Sequence, residues 1–313
     1  MSAAIIHWDG LGPVPTPARQ RCLSIGNFDG VHLGHAELMR LLARQAELLD
    51  AQPWAVTFEP HPLTLLRPEY AQPQLTPLAE RCHWLAAAGA VGVLVLDTTL
   101  PLLQMSATEF FHQVLVEGLG VLGLVEGENF AFGKNRQGTI SVLRQLCQEA
   151  RLPLEIVPPV HVEGMGVSSS RVRQALRQGD VAAAASLLGR PYALVGQVMP
   201  GQRRGMALGF PTANLTEIET LIPAEGVYAA EAVVGGERWP AAINIGANPT
   251  FDESERKVEA HLIGFSGDLY GRTVRLELRR WLRAPRRFAS PADLTSQLHQ
   301  DVALAASLEG VAP

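Results

Sequence analysis

The sequence predicts two domains, an α/β doubly wound domain followed by a small antiparallel barrel or sandwich that ends in a helix. The chain has 313 residues, which is more than a single hydrophobic core usually serves. Up to about residue 185, short apolar runs alternate with longer helical segments, as in parallel sheets covered by helices. After that point, short alternating segments follow one another between Gly, Pro and Asn residues.

The composition indicates an ordinary globular protein. Apolar residues make up 47% of the chain and charged residues 18%, which is typical of packed domains. A net charge of −5 gives no reason to expect general attraction to nucleic acid or to membranes. The first residues lack the basic and then apolar pattern of a secretory signal, and no apolar stretch reaches transmembrane length. We therefore expect a cytoplasmic protein with no nucleic-acid partner and no membrane partner.

Two residue groups have structural rather than functional explanations. The three cysteines, Cys22, Cys82 and Cys147, are too few and too far apart for a disulfide framework or a zinc site. We expect them to be buried, reduced thiols. The arginines between Arg272 and Arg287 resemble a nucleic-acid patch, but the strand pattern makes most of them a solvated face, and no aromatic stacking platform accompanies them.

The first domain is predicted from short strands with helices between them. The candidate strands suit burial on both faces of a parallel sheet, and ligands of such sheets bind beyond the carboxyl ends of the strands. Helix starts are predicted at Thr76-Pro77, a cap followed by proline, and at Ser106–Glu109, which has capping-box spacing. The candidate strands are Cys22–Ile25, Trp54–Phe58, Gly92–Leu96, Gly123–Glu126 and Leu154–Val157.

The second domain begins after an alanine-rich helix, Val181–Leu188, where the sequence changes character at Gly189-Arg190-Pro191. We place the boundary so that residues 1–186 form the first domain and residues 187–313 form the second. Alternating apolar residues predict strands, and one helix is predicted near the end of the chain. These elements are the strands Val195–Met199, Val227–Val234 and Val274–Leu282 and the helix Pro291–Leu308.

A glycine-rich turn carries the strongest chemical signal. The segment Gly26–His35 reads GNFDGVHLGH and joins an apolar strand to a helix. Glycines let the backbone approach a ligand closely, and a helix start directs unpaired N–H groups at phosphate. His32 and His35 are three residues apart, on one face of the first helical turn, where both can donate hydrogen bonds to phosphates as charge develops. A lone histidine is more simply a cap or a core residue, whereas a pair among three glycines favours phosphate chemistry.

This turn resembles the HxGH signature of the nucleotidylyltransferase superfamily, in the form found in bacterial FAD synthetases. Three later segments resemble elements of that family in the same order, namely Phe58–Pro62 (FEPHP), Val125–Gly138 (VEGENFAFGKNRQG) and Val167–Arg173 (VSSSRVR). The resemblance implies that the phosphates of ATP and FMN are bound among the residues Gly26, Asn27, Phe28, Asp29, Gly30, His32, His35, Asn129, Ser168, Ser169 and Arg171.

Two details qualify the first motif set. Ser168–Arg173 offers hydroxyls at a helix start and two arginines, which can clamp a triphosphate. By itself, serine before a helix is usually only a cap, so this element gains its meaning from the histidine pair. Ala131 stands where the family commonly has arginine, which puts one phosphate contact in doubt.

A second motif lies beyond the boundary, at Gly209–Asn214 (GFPTAN). Pro211 fixes the backbone before Thr212, whose hydroxyl joins the Asn214 amide as a pair of hard oxygen donors of the kind that Mg²⁺ prefers. Alone, the tetrapeptide Pro211–Asn214 (PTAN) is better explained as a turn. With the upstream loop Gly201–Gly205 it resembles the riboflavin kinase pattern GxxxGxxLGFPTAN, whose loop can cover nucleotide phosphates through backbone N–H groups.

The riboflavin kinase resemblance continues through Gly226–Ala229, Asn244–Gly246 with Pro249–Phe251, Val258–His261 and Gly267–Gly271. It implies that Glu259 is the base for the ribityl hydroxyl, where a surface glutamate would otherwise be the simpler explanation. Met206 stands where arginine is frequent, so either a charge near the nucleotide is missing or Arg203 and Arg204 compensate for it. The residues implied to bind ATP and flavin are Gly201, Gly205, Gly209, Phe210, Pro211, Thr212 and Asn214, with Thr212 and Asn214 as metal ligands.

Together, the two motif sets run from about residue 20 to about residue 305 and resemble those of the bacterial bifunctional riboflavin kinase/FAD synthetase family. The resemblance implies an α/β doubly wound nucleotidylyltransferase (Rossmann-like) domain followed by a small antiparallel β-barrel domain with a C-terminal helix. It implies phosphorylation of riboflavin to FMN by ATP, then adenylylation of FMN to FAD (FMN adenylyltransferase) with release of pyrophosphate, with Mg²⁺ in both steps. ATP, riboflavin and FMN are the expected partners of a monomer or weak homo-oligomer.

Two alternatives are less consistent with the sequence. A nucleotidylyltransferase acting on pantetheine phosphate, a nicotinamide mononucleotide or a choline-type phosphate leaves the GFPTAN and GDLYG segments without a purpose. A flavin-binding regulator with decayed sites does not explain why His32, His35, Thr212, Asn214 and Glu259 are all present.

Overall fold

The computed structural model describes residues 4–11, 14, 20–201, 204–207, 209–247 and 256–307. The chain divides into two compact units, one made of residues 1–72 and 76–167 and the other of residues 73–75 and 168–313. The second unit starts upstream of the predicted boundary at residues 186 and 187. That boundary stays a prediction about where two functions divide, because packing and motif content need not change at the same residue.

A six-stranded sheet forms the centre of the first unit, with every neighbouring pair of strands parallel. The strands are β1 Ala4–Trp8, β2 Arg21–Ile25, β3 Gln52–Glu59, β4 Gly92–Asp97, β5 Val121–Gly127 and β6 Leu154–Val157. Their order in the sheet is β1-β4-β3-β2-β5-β6, which confirms the doubly wound prediction. All five predicted strands are present. Strand β1 was not predicted, because it lies at an edge, is mostly exposed and has no run of buried apolar residues.

Helices cover both faces of this sheet, over one apolar core that includes Phe111 and Leu124 and another that includes Met39 and Leu85. Two 3₁₀ turns, Pro68–Tyr70 and Lys134–Arg136, and a small hairpin complete the unit. The helices are α1 Leu33–Leu48, α2 Pro62–Leu66, α3 Leu78–Ala87, α4 Leu100–Gln104, α5 Ala107–Glu109, a π-helix Phe110–Gly118 and α6 Ile140–Ala150, and the hairpin strands are β7 His161–Val162 and β8 Met165–Gly166.

The two predicted helix starts have different outcomes. Ser106 and Glu109 form the predicted capping box, with each side chain bonded to the other residue's backbone N–H. The prediction that Thr76 caps α3 is wrong, because the helix begins at Leu78 and no side chain caps it. The Thr76 hydroxyl instead accepts the N–H of Gly30 at 3.1 Å, a tertiary contact that outcompetes the local cap.

The second unit contains a closed barrel of six antiparallel strands, so the barrel and not the sandwich is correct. The elements are α7 Ser169–Arg177, α8 Val181–Leu188, β9 Tyr192–Met199, α9 Arg204–Ala207, β10 Ala213–Thr216, β11 Gly226–Val234, β12 Glu237–Gly246, β13 Lys257–Leu262, β14 Thr273–Arg283 and α10 Pro291–Ala306. The strand order around the barrel is β10-β13-β12-β11-β14-β9, and alternate residues fill the interior, as the strand period requires. The predicted helix Val181–Leu188 is confirmed.

A buried ion pair fastens the C-terminal helix to the barrel. The Arg283 guanidinium on β14 donates to both carboxylate oxygens of Asp301 on α10, with Nη2 to Oδ2 at 2.7 Å. The Asp301 side chain is 3% exposed, and Gln297 donates to its second oxygen. Since a buried carboxylate is costly unless fully paired, this arrangement fixes how α10 sits on the barrel.

The groups predicted to be structural have structural roles. Cys22, Cys82 and Cys147 are free and buried, and burial raises the pKa of Cys22 to about 12, which makes it a poor nucleophile. In the region rich in arginine, Arg275 and Arg279 both pair with Glu277. Among the described helices, none is both long enough and apolar enough to span a bilayer.

A buried carboxyl lies where the two central strands separate. The pairing of β2 with β5 runs from Arg21 to Leu23, and beyond it the Ile25 N–H donates to Glu126 Oε1 at 2.8 Å. Glu126 is 1% exposed, and burial raises its pKa well above the ordinary carboxyl value. The Glu126 carboxyl thus accepts the N–H of the last β2 residue, as a backbone carbonyl does elsewhere in the sheet, immediately before the glycine-rich turn.

The Glu126 carboxyl predicts a pH-dependent stability. A raised folded-state pKa means that the folded chain keeps a proton that the unfolded chain loses, so stability falls as pH rises above the ordinary carboxyl pKa. We expect the Glu126→Gln variant, which keeps an acceptor for the Ile25 N–H, to gain urea stability over wild type at pH 8 more than at pH 5. The exposed neighbour Glu128, changed to Gln, is the control. An equal difference at both pH values would contradict the prediction.

Candidate active sites

The glycine-rich turn lies at the point where the strand order of the parallel sheet reverses. From β2 the chain builds β3 and β4 on one side and then β5 and β6 on the other. Ligands of doubly wound sheets bind in the crevice at this point, beyond the carboxyl ends of the strands. Asn129 lies exposed in the turn that follows β5, at the same edge. The fold therefore brings Asn129 and the turn after β2 to one end of two neighbouring strands.

The turn has a strained backbone that its neighbours hold. Phe28 and Val31 have positive φ angles of 46° and 36°, which large and β-branched residues rarely adopt. Thr76 supports the turn twice, because its hydroxyl accepts the Gly30 N–H at 3.1 Å and its own N–H donates to Asp29 Oδ1 at 3.2 Å. Asp29 is 6% exposed, so its carboxylate shapes the turn from within.

His32 serves as the N-cap of α1. Its Nδ1 accepts the backbone N–H of His35 at 3.3 Å, and the residue is 6% exposed. A nitrogen that accepts this bond carries no proton, so the proton of the neutral ring is on Nε2. The cap therefore fixes the tautomer that offers Nε2–H as a donor.

The two predicted histidines are in contact. Their rings stack with centroids 3.6 Å apart and planes 17° apart, and the rings of Phe28 and His35 form a T-shaped pair with centroids 5.2 Å apart. Gly34 makes the stack possible, because a Cβ at that position would come within 3.2 Å of the His32 ring. The HxGH spacing thus places two imidazoles face to face, with a glycine between them for space.

The remaining first-motif residues lie in two places. His61 of the FEPHP element caps α2 by accepting the Leu63 N–H at 3.1 Å. Ser168 caps α7 by accepting the Arg171 N–H at 3.3 Å, and both residues, with Ser169, belong to the second compact unit. The cap expected of a serine before a helix is therefore present, and the serine proton can still be donated.

The GFPTAN loop packs tightly against glycine backbone. A Cβ on Gly205 would lie 2.3 Å from the Phe210 carbonyl, and a Cβ on Gly201 would lie 2.1 Å from the Asn214 amide nitrogen. The Phe210 N–H also donates to the Gly205 carbonyl at 2.8 Å. Gly209 has a φ of 85°, which only glycine adopts readily. The predicted loop glycines are therefore required by close approach and by turn conformation.

Three polar side chains form a row on the outer face of the barrel. Asn214 on β10 lies opposite Glu259 on β13, and Glu259 lies opposite Asn244 on β12. Their sequence neighbours on each strand are buried, so these three face outward. Directly opposed residues have Cβ atoms about 4.5–5.5 Å apart. The predicted metal ligand Asn214 and the predicted base Glu259 are thus neighbours, and Asn244, to which the motif assigned no role, joins them.

Two histidines hold the aromatic residue of this loop. The Phe210 ring forms T-shaped pairs with His261 on β13 and with His299 on α10, at centroid distances of 5.6 and 4.9 Å. The Nδ1–H of His261 donates to the Pro211 carbonyl at 2.8 Å, since a carbonyl can only accept. No motif pointed to His299, because it is isolated in the sequence and meets Phe210 only through the fold.

The barrel site offers hard oxygen atoms for a cation. Thr212 is exposed beside the row, where its hydroxyl and the Asn214 amide oxygen are available donors. Over the residues that the structure describes, no group of three or more His, Cys, Asp or Glu side chains could by itself hold a metal ion. This donor set suits Mg²⁺, which keeps waters and takes substrate phosphates as ligands. Arg203 and the segment Pro249–Phe251 lie outside the described residues.

Comparisons with known proteins agree with both motif sets. Residues 15–171 match the model of the FAD synthetase family, and residues 188–308 match that of riboflavin kinase. A solved structure described as a macrolide-efflux protein from Streptococcus pneumoniae has a TM-score of 0.88 and 31% identity, covering 97% of this chain and 99% of its own.

Curated relatives share both halves of the chain. The bifunctional riboflavin kinase/FMN adenylyltransferase of Pseudomonas fluorescens is 37% identical over 294 residues, or 93% of this chain and 94% of that protein. Proteins of the same name from Escherichia coli and Bacillus subtilis are 36% and 32% identical, and each match covers 89% of this chain and 90% or 89% of theirs. The chain therefore belongs to the family of bifunctional riboflavin kinase/FMN adenylyltransferases.

Proposed function

We propose that this chain phosphorylates riboflavin to FMN in residues 187–313 and adenylylates FMN to FAD in residues 1–186. The observation that carries the proposal is the presence of two separate sites on one chain. One is the stacked histidine pair at the reversal point of a parallel sheet, and the other is the row of oxygen-bearing side chains on the barrel. A cytoplasmic monomer or weak homo-oligomer, acting on small molecules without nucleic-acid or membrane partners, suits this chemistry.

In the adenylyl transfer, a phosphate oxygen of FMN attacks the α-phosphorus of ATP, and pyrophosphate leaves. His32 offers Nε2–H as a donor because its Nδ1 already accepts the helix-cap bond. Donors that are fixed before reaction stabilise developing negative charge without a cost of reorganisation. In the first unit, the turn from Gly26 to Gly30 and Asn129 are proposed to bind the phosphates of ATP and FMN. The family resemblance alone adds Ser168, Ser169 and Arg171 as proposed phosphate ligands.

In the kinase reaction, the ribityl hydroxyl attacks the γ-phosphorus of ATP, and ADP leaves. Glu259 is proposed to accept the hydroxyl proton, and its outward position beside Asn214 fits that role. Thr212 and Asn214 would hold Mg²⁺, which supplies neutralisation of phosphate charge when it is bound. Gly201, Gly205 and the segment from Gly209 to Pro211 are proposed to shape the ATP and flavin site around them.

The direct test supplies riboflavin, ATP and Mg²⁺ to the purified chain and separates the flavins by chromatography. We expect FMN to appear first and FAD to follow from it. If neither flavin forms, the proposed function is wrong. If FMN forms without FAD, only the adenylyltransferase half of the proposed function is wrong.

The histidine pair predicts selective loss of FAD formation. His32→Asn keeps an N-cap acceptor but removes Nε2–H, and His35→Ala removes the stacked ring. We expect each variant to lower kcat for FMN adenylylation by about 10²–10³-fold, the usual effect of losing a fixed donor, with riboflavin phosphorylation unchanged. His112→Ala removes an exposed histidine of the same unit and is the control. Equal loss of both activities in the two site variants would contradict the assignment.

A substitution at Glu259 is expected to have the opposite selectivity, with loss of riboflavin phosphorylation and not of FMN adenylylation. Glu259→Gln keeps the size of the side chain but removes its basicity, so we expect riboflavin phosphorylation to slow by about 10²–10⁴-fold. Conversion of supplied FMN to FAD is expected to stay at the wild-type rate. Glu237→Gln, an exposed substitution on the neighbouring strand β12, serves as the control. A Glu259→Gln variant with normal kinase activity would rule out the proposed base.

A further inference from the structure

A buried arginine is connected to the glycine-rich turn through a threonine. Arg81 lies on α3, and its side chain is 4% exposed. Its Nη1 donates to the Thr57 hydroxyl and to the Phe58 carbonyl, each at 3.1 Å, and its Nη2 donates to Glu59 Oε2 at 3.2 Å. The Thr57 hydroxyl in turn donates to the Asn27 carbonyl at 3.2 Å. A continuous path of hydrogen bonds therefore runs from α3 through the end of β3 to the turn.

The bond to the Asn27 carbonyl decides where the next amide points. The peptide bond between Asn27 and Phe28 is trans and planar, so its C=O and N–H point in opposite directions. Because the carbonyl is directed to Thr57, the Phe28 N–H is directed away from Thr57. In the part of the chain that the structure describes, this N–H donates to no backbone carbonyl. It can therefore donate to an anion at the turn.

We propose that Thr57 and Arg81 are positioning residues for adenylyl transfer. They hold the Asn27 carbonyl so that the left-handed Phe28 keeps its conformation and presents its N–H to the nucleotide phosphates. This inference rests on the proposed adenylyltransferase function and adds to it two residues that lie outside the turn. A donor kept in position mainly favours the transition state, so the effect falls on kcat.

Thr57 and Arg81 affect the glycine-rich turn by fixing its geometry and not by adding net charge beside it. Glu59 pairs with Arg81, so the two charges largely cancel beneath the turn. The planar fork of the guanidinium allows it to bond Thr57 and the β3 end at fixed angles, which a lysine ammonium does not reproduce. Removing the Thr57 hydroxyl is therefore the most specific test, because the Arg81–Glu59 pair remains in place.

The experiment compares Thr57→Val with Thr57→Ser in the full chain. Valine keeps the branched shape but has no hydroxyl, whereas serine keeps the hydroxyl. We expect Thr57→Val to lower kcat for FMN adenylylation at least about tenfold with KM for ATP changed less than about threefold, because a small misplacement of a donor weakens the transition state. We expect Thr57→Ser to recover most of kcat and Arg81→Lys to resemble Thr57→Val.

Folding effects are separated by two controls. Riboflavin phosphorylation by the same variants reports on the other unit and is expected to be unchanged. Thr99→Val removes the side-chain cap of α4 in the same unit and is expected to lower the melting temperature without lowering kcat. Three results would overturn the inference: normal kcat in Thr57→Val, equal loss in Thr57→Ser, or full activity in Arg81→Lys. If the wild-type chain makes no FAD from FMN, the proposed function itself fails, and that outcome is visible before any variant is measured.

Discussion

The backbone of the turn between β2 and α1 is the constraint on which the first site depends. A phosphate-binding turn must leave some amide N–H groups without protein partners, and those amides must point outward. Each inward-facing group therefore needs a fixed partner, or the strained φ angles of Phe28 and Val31 would relax. Thr57 and Thr76 supply such partners from the end of β3 and from the segment before α3. The sheet order places the end of β3 next to β2.

In the barrel, the side chains of the site are oriented by the alternation of residues along each strand. Val258 and Ala260 fill the interior, so Glu259 between them must face outward, and the same holds for Asn214 and Asn244 on the adjoining strands. Antiparallel register then sets the three side chains side by side without any turn or cap. One site thus depends on a helix start and its donors, which suits anionic phosphates. The other depends on outward-facing oxygen atoms, which suit a cation and a hydroxyl proton.

Much of the fold could be predicted because its signals are local. Buried strands, the Ser106 capping box and the 181–188 helix follow from neighbouring residues, and the histidine pair follows from spacing within one turn. The roles of Thr57, Thr76 and Arg81 could not be predicted, since their contacts join residues 22 to 47 positions apart. Thr76 even gave a misleading signal, because its local sequence is that of a helix cap. His299 was missed for the same reason, as its contact with Phe210 exists only in the folded barrel.

Structural and chemical explanations of a residue are not exclusive in this protein. His32 is a helix cap, as a lone histidine at a helix start is expected to be, and that cap is what fixes the proton on Nε2. Gly34 gives the His32 ring its space, and Asp29 anchors the turn by accepting the Thr76 N–H. In each case the contact that stabilises the fold also fixes the position of a group in the proposed site. A site built in this way tolerates few substitutions, because losing the structural bond also displaces the donor.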